Sequence, residues 1–288
     1  MAQSADLQPA ELRRRQPMRA EIGWTLVASA SLIVAVFFAP FRLAAWPSGG
    51  YPDVSVLSES MGAGFVQLWA SGSGSSGSSV LNPQLAAAVD FWARFHIVKA
   101  LLAAALLAVL VPLGLAIWRR YVRSDSLGRR LLLGVAGLTQ AAFAFLALLI
   151  LTANIQGAIA PWTSAMGLLP PVSSEPALAV AIEGVSGDLA GGVSSAAADA
   201  LLHDFVVYHV AMSVVGAVTV IGLLAATFVV WRKRRATART DRRKRRVLAS
   251  ASFAFVSTAA LFALVTAANI STVVQPVPAL LGFYGGGL

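Results

Sequence analysis

The stretch Phe95–Arg120, FHIVKALLAAALLAVLVPLGLAIWRR, is one of two long apolar segments that share the same layout. The other is Tyr208–Lys233, YHVAMSVVGAVTVIGLLAATFVVWRK. Each begins with an aromatic residue followed by His, ends with Trp followed by a basic pair, and has the same length. A helix from His96 to Trp118 would rise about 33 Å, close to the thickness of the hydrocarbon core of a bilayer. The two segments therefore predict a membrane protein with an internal duplication.

The composition supports this interpretation, because 57% of the residues are hydrophobic and only 12% are charged, which lies outside the usual range of globular proteins. The chain contains no cysteine, so disulfides and thiolate metal sites are excluded. Five continuous apolar runs are long enough to span a bilayer as helices, and none alternates as barrel strands do. They are Ile22–Leu43, Phe95–Trp118, Leu131–Ile155, Phe205–Trp231 and Val247–Ile270. We therefore predict an all-α integral membrane protein with a five-transmembrane-helix bundle.

Charge predicts the orientation of these spans. Basic residues collect before the first run, between the second and third, and between the fourth and fifth; they are Arg13, Arg14, Arg15, Arg19, Arg119, Arg120, Arg123, Arg129, Arg130 and ten residues between Arg232 and Arg246. Acidic residues dominate the opposite side: Asp53, Glu59, Asp90, Glu175, Glu183, Asp188, Asp199 and Asp204. The positive-inside rule then predicts a cytoplasmic N-terminus and an extracytoplasmic C-terminus. We expect a multi-pass protein of a bacterial plasma membrane, with anionic lipids at its basic face and without nucleic acid as a partner.

The outer ends of three spans repeat one another with constant spacing: Ala39-Pro40 before Pro47, Ala153-Asn154 before Pro161, and Ala268-Asn269 before Pro276. The predicted unit is an outward helix, an outer loop and a return helix, and equivalent helices point the same way, which makes the repeat parallel. The predicted segments are a cytoplasmic basic segment 1–21, a first outward helix and loop 22–94, a hairpin 95–155, a second outer loop 156–204, a hairpin 205–270 and an extracytoplasmic tail 271–288. The two long loops are expected to form a small extracytoplasmic cap.

Within the loops, the small-residue stretch Ser71–Ser79 is typical of a flexible linker or an exposed loop tip. The short stretches Met61–Ala70 and Pro176–Gly184 have the composition of interfacial helices, with irregular loop as the alternative. Inside the spans, Gln140 aligns with Phe255 and so is not part of the repeat, and it is expected to form a hydrogen bond with a neighbouring helix.

His96 and His209 are the best polar candidates for a functional site, and each lies near the outer end of a return helix. Asn154 and Asn269 lie at the outer ends of the helices that follow, so each His/Asn pair should share one depth. Three hypotheses are open. The pairs can tie helices and loops together, with Asn capping a helix end; they can bind haem, a metal or a quinone, with His203 as a further metal ligand; or they can form a polar gate. The structural hypothesis is the one we favour.

Function is less well determined by the sequence. Phosphate-binding, zinc-protease and nucleophile-elbow motifs are absent from the sequence, and no carboxylate lies deep inside a span, where ion-coupled transporters generally need one. We therefore expect a non-catalytic subunit or scaffold of a membrane complex, without a cofactor, that associates with other membrane subunits or with itself. The alternatives are a His-based redox or ligand-binding protein and a transporter or lipid-handling protein.

Overall fold

The computed structural model describes residues 8–46, 49–71, 81–170 and 175–284, and it describes side chains from residue 23 to residue 283 of these ranges. All regular elements in these ranges are helices: α1 Gln8–Phe38, α2 Pro40–Ala44, α3 Val54–Ala70, α4 Pro83–Arg123, α5 Leu127–Ile159, α6 Pro161–Met166, α7 Pro176–Gly191, α8 Ala196–Ala236, α9 Arg242–Val274 and α10 Pro276–Tyr284. Pro47, all but the first residue of the predicted Ser71–Ser79 linker, and the C-terminal glycines lie outside the described residues.

Four of the described helices, α4, α5, α8 and α9, are long and apolar enough to cross a membrane. The prediction of an all-helical fold is therefore confirmed for the described residues, and the four apolar helices are consistent with the predicted multi-pass membrane protein. In α1 the described apolar part is Gly23–Phe38, which is shorter than a full span. The fifth span and the internal repeat stay predictions.

One compact unit comprises residues 1–39 and 101–151. Its buried apolar side chains come from α1, α4 and α5: Val36, Leu106, Leu110, Leu113 and Ala147. The amide of Gln140 donates a hydrogen bond of 2.8 Å to the carbonyl oxygen of Leu110 in α4. Gly114 makes room for this amide, because a Cβ at Gly114 would lie 2.3 Å from Gln140 Oε1. The expected bond between Gln140 and a neighbouring helix is thus present.

The second unit comprises residues 40–100 and 152–288, and its described part contains a hydrophobic core. We call this core and the helices around it the cap. It is built from α2, α3, α6, α7, α10 and the N-terminal parts of α4 and α8. Its large buried side chains include Leu57, Met61, Phe65, Leu85, Phe91, Leu178, Val185 and Leu201. The stretches Met61–Ala70 and Pro176–Gly184 are helical, as parts of the longer α3 and α7, and their place at a membrane interface stays a prediction. The described parts of the two predicted loops are therefore largely helical.

Helices α4 and α8 begin earlier than the apolar runs predicted. Each has 41 residues and is about 60 Å long, roughly twice the hydrocarbon thickness. They start at Pro83 and Ala196, whereas the apolar runs start at Phe95 and Phe205. Leu85 and Leu201, in the added turns, are fully buried in the cap core. The extensions are amphipathic, so they fold with the cap and lie beyond a purely apolar segment.

The predicted first span, Ile22–Leu43, is wrong at its end, because α1 stops at Phe38 and a separate helix α2 starts at Pro40. Proline supplies no backbone N–H and disfavours helical geometry in the residue before it. Two later helices end in the same way, α5 before Pro161 and α9 before Pro276.

Helices α8 and α9 form a closely packed hairpin. A Cβ at Gly216 in α8 would lie only 2.3 Å from the hydroxyl oxygen of Thr266 in α9. At the connection, the Arg245 guanidinium donates hydrogen bonds to the carbonyl oxygens of Arg234 and Thr237, at 3.3 and 3.1 Å. The glycine allows close approach of the helix backbones, which is the usual way in which membrane helices associate.

Candidate functional site

His96 and Asn154 meet within the α4–α5 hairpin. His96 Nδ1 and Asn154 Oδ1 are 2.8 Å apart. Because an amide oxygen only accepts, Nδ1 carries the proton, and Nε2 of a neutral ring is then an acceptor. The hydroxyl of Ser164, in α6, lies 2.8 Å from Nε2 and donates to it. Both ring nitrogens of His96 are therefore bonded to protein groups.

The ring of His96 is tightly enclosed. His96 is 9% exposed and Asn154 is 7% exposed. A Cβ at Gly157 would lie 2.6 Å from the imidazole, so α5 approaches the ring at its backbone. On the other side, the rings of Trp92 and Phe95 contact the imidazole edge-on, with centroids 4.8 and 5.5 Å away. The site leaves little space for a ligand beside this histidine.

Sequence reasoning missed the third member of this network, Ser164. Its hydroxyl oxygen also accepts a 3.2 Å hydrogen bond from Trp92 Nε1, which completes a chain from Trp92 through Ser164 and His96 to Asn154. Serine is too common for its type to stand out. The only sequence signal was its position three residues after Pro161, a residue well suited to start a helix.

The second pair, His209 of α8 and Asn269 of α9, repeats only part of this arrangement. His209 Nδ1 and Asn269 Oδ1 are again 2.8 Å apart, and Asn269 Nδ2 donates to the carbonyl oxygen of Val265 at 2.8 Å. His209 Nε2 makes no hydrogen bond with the part of the chain that the structure describes. Counted from Pro276, the position that matches Ser164 is Ala279, which has no hydroxyl to offer.

The expectation that Asn154 and Asn269 cap helix ends is wrong. Helix α5 continues to Ile159 and α9 continues to Val274, so both asparagines lie inside helices. Their backbone groups lie within the helices, and their side chains bond the histidines.

Two further polar contacts join α8 to the end of α5 and to α6. The buried Gln156 amide donates to the carbonyl oxygen of Tyr208 at 3.2 Å. The carboxylate of Asp204 accepts a 2.7 Å hydrogen bond from the backbone N–H of Thr163, near the positive N-terminal end of α6. Sequence reasoning counted Asp204 among the acidic residues of the outer side, and it did not single out Gln156.

The third metal candidate, His203, lies in the cap at a shallow groove of about 450 Å³, beside Trp162, Asp199 and Asp204. The described residues contain no hydrogen bond or ring contact between His96 and His209. Within the same residues, no three His, Asp or Glu side chains are grouped closely enough to hold a metal ion. The three predicted metal ligands, His96, His209 and His203, are therefore not assembled into one metal centre there.

No protein-family model, curated protein or solved structure matches this chain. The chemistry at the site is that of neutral imidazole, amide and hydroxyl groups bonded to one another. Such groups fix the relative positions of helices, and at His209 they leave one ring nitrogen without a described partner.

Proposed function

We propose that this chain is a non-catalytic subunit or scaffold of a membrane complex. The observation that carries the proposal is that His96, a buried polar group of the candidate site, uses both ring nitrogens to bond Asn154 and Ser164. A histidine bonded in this way ties α4, α5 and α6 together. It has no lone pair left for a metal or haem iron.

The cap supports the same proposal. It has its own hydrophobic core, and folded surfaces beyond the spans are suited to docking other membrane subunits. The folded core also gives the long connections between the spans a role, since long connections in compact proteins are usually functional or disordered.

The membrane arrangement belongs to the proposal as well. We infer five spans, with α1 as the first, in a bacterial plasma membrane, with the N-terminus cytoplasmic and the cap outside. Equal lengths of α4 and α8, 41 residues each, and of α5 and α9, 33 residues each, support a parallel internal repeat. The arginine-rich turns at the opposite ends of these helices would then contact anionic lipid headgroups.

The test is the native mass of the tagged chain after extraction in a mild detergent. The proposal predicts an assembly heavier than the 30.0 kDa chain, in which another membrane polypeptide is present in fixed ratio. A stable monomer with a turnover of its own would contradict it.

Ligand binding at His209 is the second candidate function, and the observation that favours it is that Nε2 of this half-buried ring has no hydrogen-bond partner among the described residues. The absorption spectrum and the metal content of the same preparation decide this point. A Soret band or a bound metal that His209→Ala removes and Ser271→Ala retains would favour the alternative. A featureless visible spectrum without bound metal would exclude haem and metal at His209.

A further inference from the structure

The corner between α9 and α10 carries an open groove of about 610 Å³, lined by Ser271, Thr272, Val274, Gln275, Pro278 and Ala279. Ser271 and Gln275 are exposed, and Val274 is 72% exposed. The described residues of this chain leave the groove unfilled.

The matching corner between α5 and α6 is filled. Counted back from Pro161 and Pro276, Gln156 matches Ser271, and Ala160 matches Gln275. Gln156 is only 7% exposed and Ala160 is 0% exposed, because the N-terminal part of α8 lies on this corner. The contact between α8 and this corner includes the hydrogen bond from the Gln156 amide to the Tyr208 carbonyl oxygen. It also includes the hydrogen bond from the Thr163 N–H of α6 to the Asp204 carboxylate.

The corner at α2 is filled in a related way, by α4. The Arg94 guanidinium donates a 3.1 Å hydrogen bond to the carbonyl oxygen of Ala44. Phe41 packs edge-on against Phe91 and Phe95, with ring centroids 5.0 and 6.3 Å apart. Phe95 directly precedes His96, just as Tyr208 precedes His209. At both filled corners, the helical turn before the histidine of a long helix therefore packs against the corner.

We propose that the α9–α10 corner is the docking site for a membrane helix of a different subunit. This inference rests on the proposed subunit function and locates its contact. Two corners of the same chain show that such a corner accepts the N-terminal part of a long helix, and at the α9–α10 corner the short helix likewise starts with proline. A second copy cannot fill it in this way, because α4 and α8 are already seated on corners of their own chain.

The chemistry of the groove describes the expected helix. Its N-terminal part carries an aromatic residue beside the corner, and it continues from there as an apolar span, like α4 and α8. Gln275 offers an exposed amide for hydrogen bonds to its backbone. Pro278 stands where Thr163 stands in α6 and has no N–H, so the incoming helix needs no carboxylate in the place of Asp204.

The test uses the full 288-residue chain in native membranes, with the photo-crosslinking residue benzoylphenylalanine in place of Gln275. The matched control carries it in place of Leu264, a lipid-facing α9 residue that is 70% exposed. We expect one adduct from position 275, to a polypeptide other than this chain, attached at the end of an apolar span, and we expect it to be absent from position 264. Crosslinks to a second copy, to lipid only, or to no partner would overturn the proposal.

A groove-filling variant, Gln275→Trp, supplies an independent readout. It should lower recovery of the crosslinked polypeptide by about tenfold, the change expected for the loss of one good contact, while the unfolding temperature stays unchanged. Leu264→Trp should leave recovery unchanged. Full recovery with Gln275→Trp overturns the docking site but leaves the subunit function standing, whereas a wild-type chain that recovers no other polypeptide overturns both.

Discussion

At the scale of single residues, almost all polar side-chain atoms of the His96 network take part in hydrogen bonds. Trp92 Nε1 donates to Ser164, Ser164 donates to His96, and His96 donates to Asn154. Burying a polar group costs free energy unless the group is hydrogen-bonded. Removing one member of a chain of hydrogen bonds also affects the bonds of the remaining members. The residues of the network are therefore expected to stabilise the fold more than their neighbours do.

Replacing Ser164 with Ala should lower the free energy of unfolding by about 1–3 kcal/mol, because it leaves the buried Nε2 of His96 without a donor. Unfolding of the purified protein in detergent measures this change. Thr163 is the matched control, since its buried hydroxyl oxygen has no hydrogen-bond partner in the described part of the chain; Thr163→Val should be neutral or stabilising. Equal losses for the two variants would show that the serine bond contributes nothing specific.

Gly157→Ala should destabilise the protein by about 1–3 kcal/mol, because the added methyl overlaps the His96 ring and the packed core must shift. Gly222 of α8 has no atom within 4 Å of an added Cβ, so Gly222→Ala should be neutral or stabilising through its higher helix propensity. Thermal unfolding of both variants tests the contrast. A tolerant Gly157→Ala variant would mean that the histidine is not held where the structure places it.

At the scale of elements, apolar runs predicted the four long helices but misplaced their ends. A hydropathy pattern reports residues that prefer lipid on all sides, which describes the central parts of α4 and α8. It does not detect the amphipathic turns around Leu85 and Leu201, because these are apolar on one side only and are buried by the cap. Helix ends at Pro40, Pro161 and Pro276 follow from proline itself. Folding of the loops into a common core depends on contacts distant in sequence.

Asp53 at the start of α3 gives a pH-dependent prediction. Its carboxylate accepts bonds from the Ser55 hydroxyl and the Val56 N–H, and these bonds lower the pKa of Asp53 below its ordinary value. The stabilisation should be complete above the unfolded-chain pKa of about 3.9 and should fall as the pH drops through the lowered value.

The variant Asp53→Asn should keep the N-terminal capping of α3, because Asn also caps helices. Its unfolding temperature should no longer show this part of the dependence on acidic pH. Asp53→Ala should lower the unfolding temperature at neutral pH as well. Unfolding temperatures across acidic pH measure both effects. An identical pH profile for the wild type and Asp53→Asn would contradict this role.

At the scale of the whole molecule, the sequence predicted which residues to examine better than it predicted what they do. Repeated spacing indicated His96 with Asn154 and His209 with Asn269, and both pairs are hydrogen-bonded. It did not indicate the difference between the copies, because Ser164 and Ala279 matter only through the positions of α6 and α10. The two pairs are thus alike in sequence but unequal in burial and in bonding.

The molecule therefore has one enclosed tie, the His96–Asn154 pair with Ser164, and one incomplete tie, the His209–Asn269 pair. The enclosed tie holds α4, α5 and α6 together, which suits a structural role. The incomplete tie lies on the α8–α9 hairpin, which also bears the unfilled corner at α10. We therefore expect partner binding to affect the second pair more than the first.

The central claim is that His96 and Asn154 stabilise the fold by bonding each other. A double-mutant cycle with His96→Ala and Asn154→Ala, measured by unfolding of the purified chain without added ligand, tests it most directly. A favourable coupling free energy of about 0.5–3 kcal/mol is predicted, in the range found for residues in one hydrogen-bonded network. Additive effects of the two substitutions, together with a wild-type stability that depends on a bound metal or chromophore, would contradict the claim.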